Sequence, residues 1–393
     1  MAAQIGDTES RHQRLAAALR AQAIDFALLT SPGNVCYSSG VEVFLPVDSG
    51  TEFSGGPTVA LASADGDVQV LVPETHAGLA ATQVDGARLT SVPGFGHFDR
   101  HEPESEFVDA IATAVRSFGP GRLRVGYEPR WLPAAVLTLI QNEFPQIELI
   151  PADAALLAAR SIKTPWEVAR MRRAVAAADA AQERLRLAAH AGVNELELFG
   201  EVTAAASSSA GHPVAILCEL MSGPRTGVLR YPGRPIDRVL QAGDTVLMDF
   251  SVRVDGYWAD CTNTLVVDAD PTAGQLRCYE ASRAAIDRAL AALKPGNTAM
   301  DVDHAAKDAL ATYGFEPQHY SGHQIGVVVN EPPRLVRYDG SEIVAGMVFA
   351  VEPGAYAGEQ IGTGARSEKV ALVTERGATV LSQFTWGMDH FLS

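Results

Sequence analysis

Val246-Leu-Met-Asp-Phe-Ser-Val-Arg-Val-Asp-Gly-Tyr-Trp-Ala-Asp-Cys-Thr262 is two apolar runs hinged on Asp255-Gly256. An Asp-Gly pair between β-branched and aromatic residues reads as a β-hairpin with a two-residue loop. Pairing the runs about that loop sets Asp260 opposite Ser251. Side chains alternate along a strand, so Asp249, two residues from Ser251, projects from the same face as Asp260. The opposite face carries Met248, Phe250, Val252, Tyr257, Ala259 and Cys261, which suits a core. Two carboxylates aimed from one face of a buried hairpin repel unless a cation neutralises them. The stretch therefore predicts a metal site.

The chain around it has 393 residues, long enough that two domains are expected. A hydrophobic fraction of 47% supports sizeable cores. The formal charge of −16 argues against nucleic acid or an anionic membrane as a bulk partner. Cys36, Cys218, Cys261 and Cys278 show no CxxC spacing, so reduced thiols in a cytosolic protein are the expectation. The first residues hold no apolar signal core, and no later run is long enough to span a bilayer. A soluble, cytoplasmic protein is expected.

Along the chain, residues 9–22 read as a helix, and the run at 26–30 as a strand ended by Ser31-Pro-Gly. Strand patterns follow at 58–62, 68–72 and 123–126, and helical ones at 106–117 and 132–143. This alternation predicts an α/β N-terminal domain over residues 1–155. The junction falls within 151–164, where 155–160 is open to being a short helix. A long helix runs from Pro165 to about His190, with proline at its start and Glu167 in its first turn. Helices near 195–210, 272–293 and 300–313, and strands at 347–351 and 369–373, make residues 156–393 an α+β domain.

Three later segments carry more metal-type side chains: His319-Tyr-Ser-Gly-His323-Gln-Ile-Gly326, Val351-Glu352-Pro-Gly and Arg366-Ser-Glu368. Asp249, Asp260, His323, Glu352 and Glu368 together offer four carboxylates and one imidazole. That oxygen-rich set suits two hard or borderline divalent ions bridged by carboxylates. Mn²⁺ is favoured, with Co²⁺, Zn²⁺ and Fe²⁺ open.

These motifs, in this order, closely resemble the pita-bread metallopeptidases: aminopeptidase P, prolidase, methionine aminopeptidase and their relative creatinase. Ala23-Ile-Asp-Phe-Ala-Leu-Leu-Thr-Ser-Pro-Gly-Asn-Val-Cys-Tyr37 resembles the opening of the creatinase-type N-terminal domain. Arg160-Ser-Ile-Lys-Thr-Pro-Trp-Glu-Val-Ala-Arg-Met-Arg172 resembles its junction into the catalytic domain. The resemblance implies an α/β creatinase-like domain followed by an α+β pita-bread catalytic domain. It implies a dinuclear hydrolase in which a metal-bridging hydroxide attacks an amide-type carbonyl and Glu352 handles the proton as well as ligating. Arg366 would steady the acid cluster by charge-assisted hydrogen bonds. A homodimer is also implied, with the 41–57 loop and its Phe44, Asp48, Glu52 and Phe53 reaching toward the partner's site.

The match breaks at two positions. Arg230 and Asn330 stand where peptidase relatives carry histidines that contact the substrate carbonyl and help move protons. Arginine stays charged near neutrality, and asparagine donates hydrogen bonds without titrating. Smaller departures are Ser251 where glycine is usual and Asn263 where arginine is common. His319 is a candidate substrate or proton contact, Asn330 a candidate substrate-binding residue, and Arg230 a candidate clamp for a substrate carboxylate. Three readings follow. The leading one is a hydrolase of a small peptide or amide, like the Xaa-Pro dipeptidases and aminopeptidases. The second is a small-molecule enzyme on the same fold, creatinase-like, ectoine-hydrolase-like or a lyase. The third is a non-catalytic binding protein.

Overall fold

The Asp255-Gly256 turn forms as its composition dictates, with φ of +51° at Asp255 and +82° at Gly256. Both lie in the left-handed region that a twist-matched two-residue hairpin turn requires. The computed structural model describes residues 10–43, 55–94 and 98–392. It divides into two compact units, Met1–Arg160 and Ser161–Ser393.

In the first unit the elements are α1 (Arg11–Ala21), β1 (Phe26–Leu29), α2 (Pro32–Ser39), β2 (Val59–Ser63), β3 (Val68–Pro73) and α3 (Glu74–Gln83). They continue with β4 (Arg88–Val92), α4 (Pro103–Arg116), β5 (Leu123–Tyr127), α5 (Ala134–Glu143), β6 (Ile147–Pro151) and α6 (Asp153–Ser161). The strands form one sheet in the order β4-β3-β2-β1-β5-β6. Phe26, Leu28, Leu61 and Val125 from the sheet pack with Ile111 and Val115 of α4 and Ile140 of α5. The α/β expectation holds. Ser31-Pro32 ends β1 and also opens α2: the Ser31 side chain accepts from Asn34 N, and Pro32 takes the first helical position. Most of the 41–57 loop expected to reach a partner, including Phe44, Asp48, Glu52 and Phe53, lies outside the described residues.

The second unit holds α7 (Pro165–Ala188), α8 (Glu195–Ala210), β7 (Ala215–Ser222), β8 (Thr245–Val254), β9 (Tyr257–Val266), α9 (Ala273–Ala292) and α10 (Ala299–Thr312). After these come β10 (Gly322–Gln324), β11 (Glu331–Leu335), β12 (Val348–Val351), β13 (Gly354–Tyr356), β14 (Gly364–Arg366), β15 (Lys369–Thr374) and β16 (Gly377–Val380). One sheet runs β7-β8-β9 and another β11-β10-β12-β15-β16, with β13-β14 as a short ribbon. The hairpin pairs as its turn dictates, Ser251 with Asp260 and Asp249 with Thr262. Its inner face is fully buried at Met248, Phe250, Val252, Tyr257, Ala259 and Cys261. Helix α7 lies against that face, and Gln182 Nε2 donates to Cys261 O at 2.6 Å. The start of α7 is a capping box, in which Thr164 and Glu167 each satisfy the other's backbone N–H. Helices α9 and α10 pack through Tyr279, Ile286, Val302 and Leu310 onto Phe349 and Val351 of β12.

Among the described residues no helix is long and apolar enough to cross a membrane. Gly256→Ala places a Cβ on a left-handed backbone and is expected to cost about 1 kcal/mol. A lower urea midpoint at unchanged m-value is the readout.

Candidate metal centre

Strand order explains why distant motifs meet. In the five-stranded sheet His323 pairs with Ala350 and Gly322 with Val351, while Val351 pairs with Lys369. His323, Glu352 and Glu368 therefore stand at the same end of three adjacent strands. Glu368 N donates to Thr262 O at 3.2 Å, which docks that end on the hairpin strand bearing Asp260. Ligand atoms of Asp260, His323 and Glu368, all buried, lie within 4.8 Å of one another. His323 Nε2 is 3.4 Å from Glu352 Oε1 and 3.9 Å from Asp260 Oδ2. Asp249 completes the cluster from the neighbouring strand.

The imidazole is set up as a ligand. His323 Nδ1 lies 2.9 Å from Gln324 O, a contact that requires Nδ1 to carry the proton. The Nε2 lone pair then faces carboxylate oxygens, an arrangement that a cation between them makes favourable. Burial lowers the His323 pKa below its ordinary value, which keeps that lone pair free.

Burial, followed by the charges of Glu368 and Asp249, pushes Asp260 well above the usual carboxylate range. Glu352 is raised chiefly by burial, against the nearby Arg366 charge, and Glu368 by burial and then by Asp249 and Glu352. Glu368 Oε2 accepts from Thr262 Oγ1 at 2.7 Å, but its buried Oε1 has no hydrogen-bond partner among the described residues. A sealed carboxylate oxygen without a donor, beside a histidine lone pair and two more acids, fits divalent cations.

Arg366 supplies the remaining compensation. Its Nη2 donates to Asp249 Oδ2 at 2.8 Å and to Glu219 Oε2 at 2.7 Å. Burial alone would weaken its charge, but Tyr356, Asp249, Glu219 and Glu352 hold the guanidinium firmly protonated. Glu219 is a fifth acid that the sequence reading passed over. It lies on β7, directly opposite Asp249, and its Oε1 accepts from Gly233 N at 3.2 Å. An acid set inside the apolar run Ile216-Leu-Cys-Glu-Leu-Met221, just ahead of the hairpin, was the available signal.

The other expected contacts have partners of their own. Arg230 sits half-exposed on a loop and pairs with Glu359 at 3.1 Å. Asn330 Nδ2 donates to Tyr320 Oη at 3.2 Å, and its Oδ1 accepts from Arg334 Nε at 2.8 Å. His319 has both ring nitrogens engaged, Nδ1 with Tyr320 O at 2.7 Å and Nε2 with Tyr356 Oη at 3.1 Å. Burial, then the Arg366 charge, holds its pKa to about 3, so the ring is neutral. Ser251 Oγ donates to Asp260 Oδ1 at 2.8 Å and so serves the cluster directly. Asn263 works behind it, donating to Thr385 O at 3.0 Å and accepting from Gly387 N at 2.9 Å.

The chain is similar to known proteins over most of its length. The model of metallopeptidase family M24 matches residues 169–375, and that of the creatinase/prolidase N-terminal domain matches residues 11–162. An uncharacterized peptidase, YqhT of Bacillus subtilis, is 27% identical over 356 residues, covering 90% of this chain and 92% of its own. The Xaa-Pro dipeptidase of Pyrococcus furiosus is 31% identical over 244 residues, 62% of this chain and 67% of that protein. Among solved structures, the X-Pro aminopeptidase of Thermotoga maritima superposes with a TM-score of 0.80 at 21% identity, covering 96% of this chain and 99% of that one.

Loading the cluster should stabilise the fold by mass action: a free ion at a hundredfold its Kd adds about 2.7 kcal/mol. A rise in melting temperature with added Mn²⁺, reversed by chelator and absent in His323→Ala, is the expected result.

Proposed function

We propose that this chain, which belongs to metallopeptidase family M24, is a dinuclear metal-dependent hydrolase that cleaves the bond preceding proline in small Xaa-Pro peptides. The observation that carries the reading is the buried Asp260–His323–Glu368 cluster, closed by Glu352 and by Asp249 under Arg366. The relatives named as Xaa-Pro dipeptidases support the substrate class.

The five ligands would be Asp249, Asp260, His323, Glu352 and Glu368, holding two ions for which Mn²⁺ fits the oxygen-rich donor set. When bound, such ions supply Lewis acidity, which acidifies water, polarises the scissile carbonyl and offsets charge on its oxygen. The protein's own groups do the rest. Glu352, whose buried carboxylate favours protonation, takes the proton of the attacking water and returns it to the leaving amine. Burial keeps His323 neutral and Gln324 O orients it, while Arg366 holds and aims Asp249. His319, neutral and doubly bonded, positions the Tyr356 hydroxyl. The reading extends to a cytoplasmic homodimer, in keeping with the family resemblance.

One observation favours a second reading. Arg230 and Asn330 replace two histidines of the peptidase relatives, which suits a small-molecule amide substrate on the same machinery. A panel of Xaa-Pro dipeptides, longer Xaa-Pro peptides, creatine and ectoine, assayed with Mn²⁺, separates the two. Turnover confined to the Xaa-Pro peptides is expected; turnover of creatine or ectoine alone would overturn the peptide reading. Glu352→Gln is expected to lower kcat by at least about 100-fold.

A further inference from the structure

Asn330 occupies a place where a titrating side chain is expected, yet its amide is not idle. Arg334 lies across from His323 on the neighbouring strand and can only donate, so its Nε bond at 2.8 Å fixes Asn330 Oδ1 toward it. The Asn330 amide nitrogen must then face Tyr320 Oη, to which it donates at 3.2 Å. That bond fills a lone pair of the phenol and leaves the O–H proton to point elsewhere. Among the described residues nothing accepts it.

The ring that carries this hydroxyl is held at the metal-ligand cluster. Tyr320 meets His323 edge-on, with ring centroids 6.0 Å apart and planes at 72°. It meets His319 at 6.1 Å and 89°. The backbone beneath it is pinned, since His319 Nδ1 donates to Tyr320 O at 2.7 Å and Glu352 N donates to Ser321 O at 2.9 Å. Half-buried, with one lone pair satisfied and its proton uncommitted, the phenol is preorganised to donate.

We infer that Tyr320 is a catalytic residue, whose hydroxyl donates a hydrogen bond to the oxygen of the substrate carbonyl as negative charge develops there. Asn330 and Arg334 are its positioning residues. The inference rests on the hydrolase reading above. It explains how the chain dispenses with a histidine at 330: the amide does not meet substrate but aims a donor that does. No proton is transferred in this role. The O–H stays on Tyr320 and strengthens its bond as the carbonyl oxygen gains charge.

The test compares Tyr320→Phe and Asn330→Ala with the unaltered protein, all loaded with Mn²⁺ and assayed on an Xaa-Pro dipeptide. Tyr320→Phe is expected to lower kcat about 100-fold, with KM, metal content and melting temperature unchanged. Asn330→Ala leaves the hydroxyl in place but unaimed, and is expected to lower kcat about tenfold. Inorganic phosphate, a tetrahedral oxyanion needing no peptide specificity, provides a second readout on the same loaded proteins. Its Kd is expected to rise about tenfold in Tyr320→Phe, as loss of one bond to a charged acceptor implies. Unchanged kcat and phosphate affinity in Tyr320→Phe would overturn the inference, as would an activity loss that tracks loss of metal. If the unaltered protein cleaves no Xaa-Pro peptide, the peptide reading fails, and phosphate affinity alone decides the role of Tyr320.

Discussion

Everything at the functional end of the second unit answers one constraint: five carboxylates are packed together with little access to water. Asp249, Asp260, Glu352, Glu368 and Glu219 repel one another as anions unless their charge is compensated. The protein meets part of the demand with a single guanidinium, Arg366, which bridges Asp249 and Glu219. It meets another part with neutral donors, Ser251 on Asp260 and Thr262 on Glu368. What remains, above all the unpartnered Glu368 Oε1, matches a divalent cation and not another hydrogen bond.

Holding such a cluster demands rigid support from behind, and the fold supplies it. The inner hairpin face is sealed by α7, whose Gln182 reaches Cys261 O across the strand next to Asp260. The C-terminal segment crosses the same region. Lys369, adjacent to Glu368, donates to Phe384 O at 2.7 Å with its ammonium 3.1 Å from the Phe384 ring centroid. Asn263 binds Thr385 and Gly387 in that segment and so tethers it to the hairpin strand. Residues beside the ligands thus anchor the strands while the ligands face the opposite way, a division of labour that strand alternation makes automatic.

Much of this was legible in the chain. The Asp-Gly turn set the hairpin register, and the register put Asp249 and Asp260 on one face before any coordinate was known. Pro165 at its start and Glu167 in its first turn marked α7. Less legible were elements whose patterns are short or shared. Ser31-Pro32 signals a helix start as well as a strand end, and β10, β13 and β14 are three residues each, below the length at which alternation can be read. Strand β7 escaped notice, and Glu219 with it, because an acid in an apolar run has no meaning until its cross-strand neighbour is known.

The sequence by itself determined the candidate ligand set, the hairpin that carries two of its five members, and the two-part architecture, because turn chemistry and alternation are local and family motifs keep their order. Only the tertiary structure decided which oxygen lacks a donor, which nitrogen of His323 carries the proton, and what Arg230, His319 and Asn330 touch. Those properties depend on side chains far apart in sequence arriving within hydrogen-bond reach. Asn330, held by Arg334, meets Tyr320 across the connection between two strands, and Arg366 meets Glu219 across 147 positions of chain. Local rules can name the residues; long-range packing alone fixes the partner each one finds.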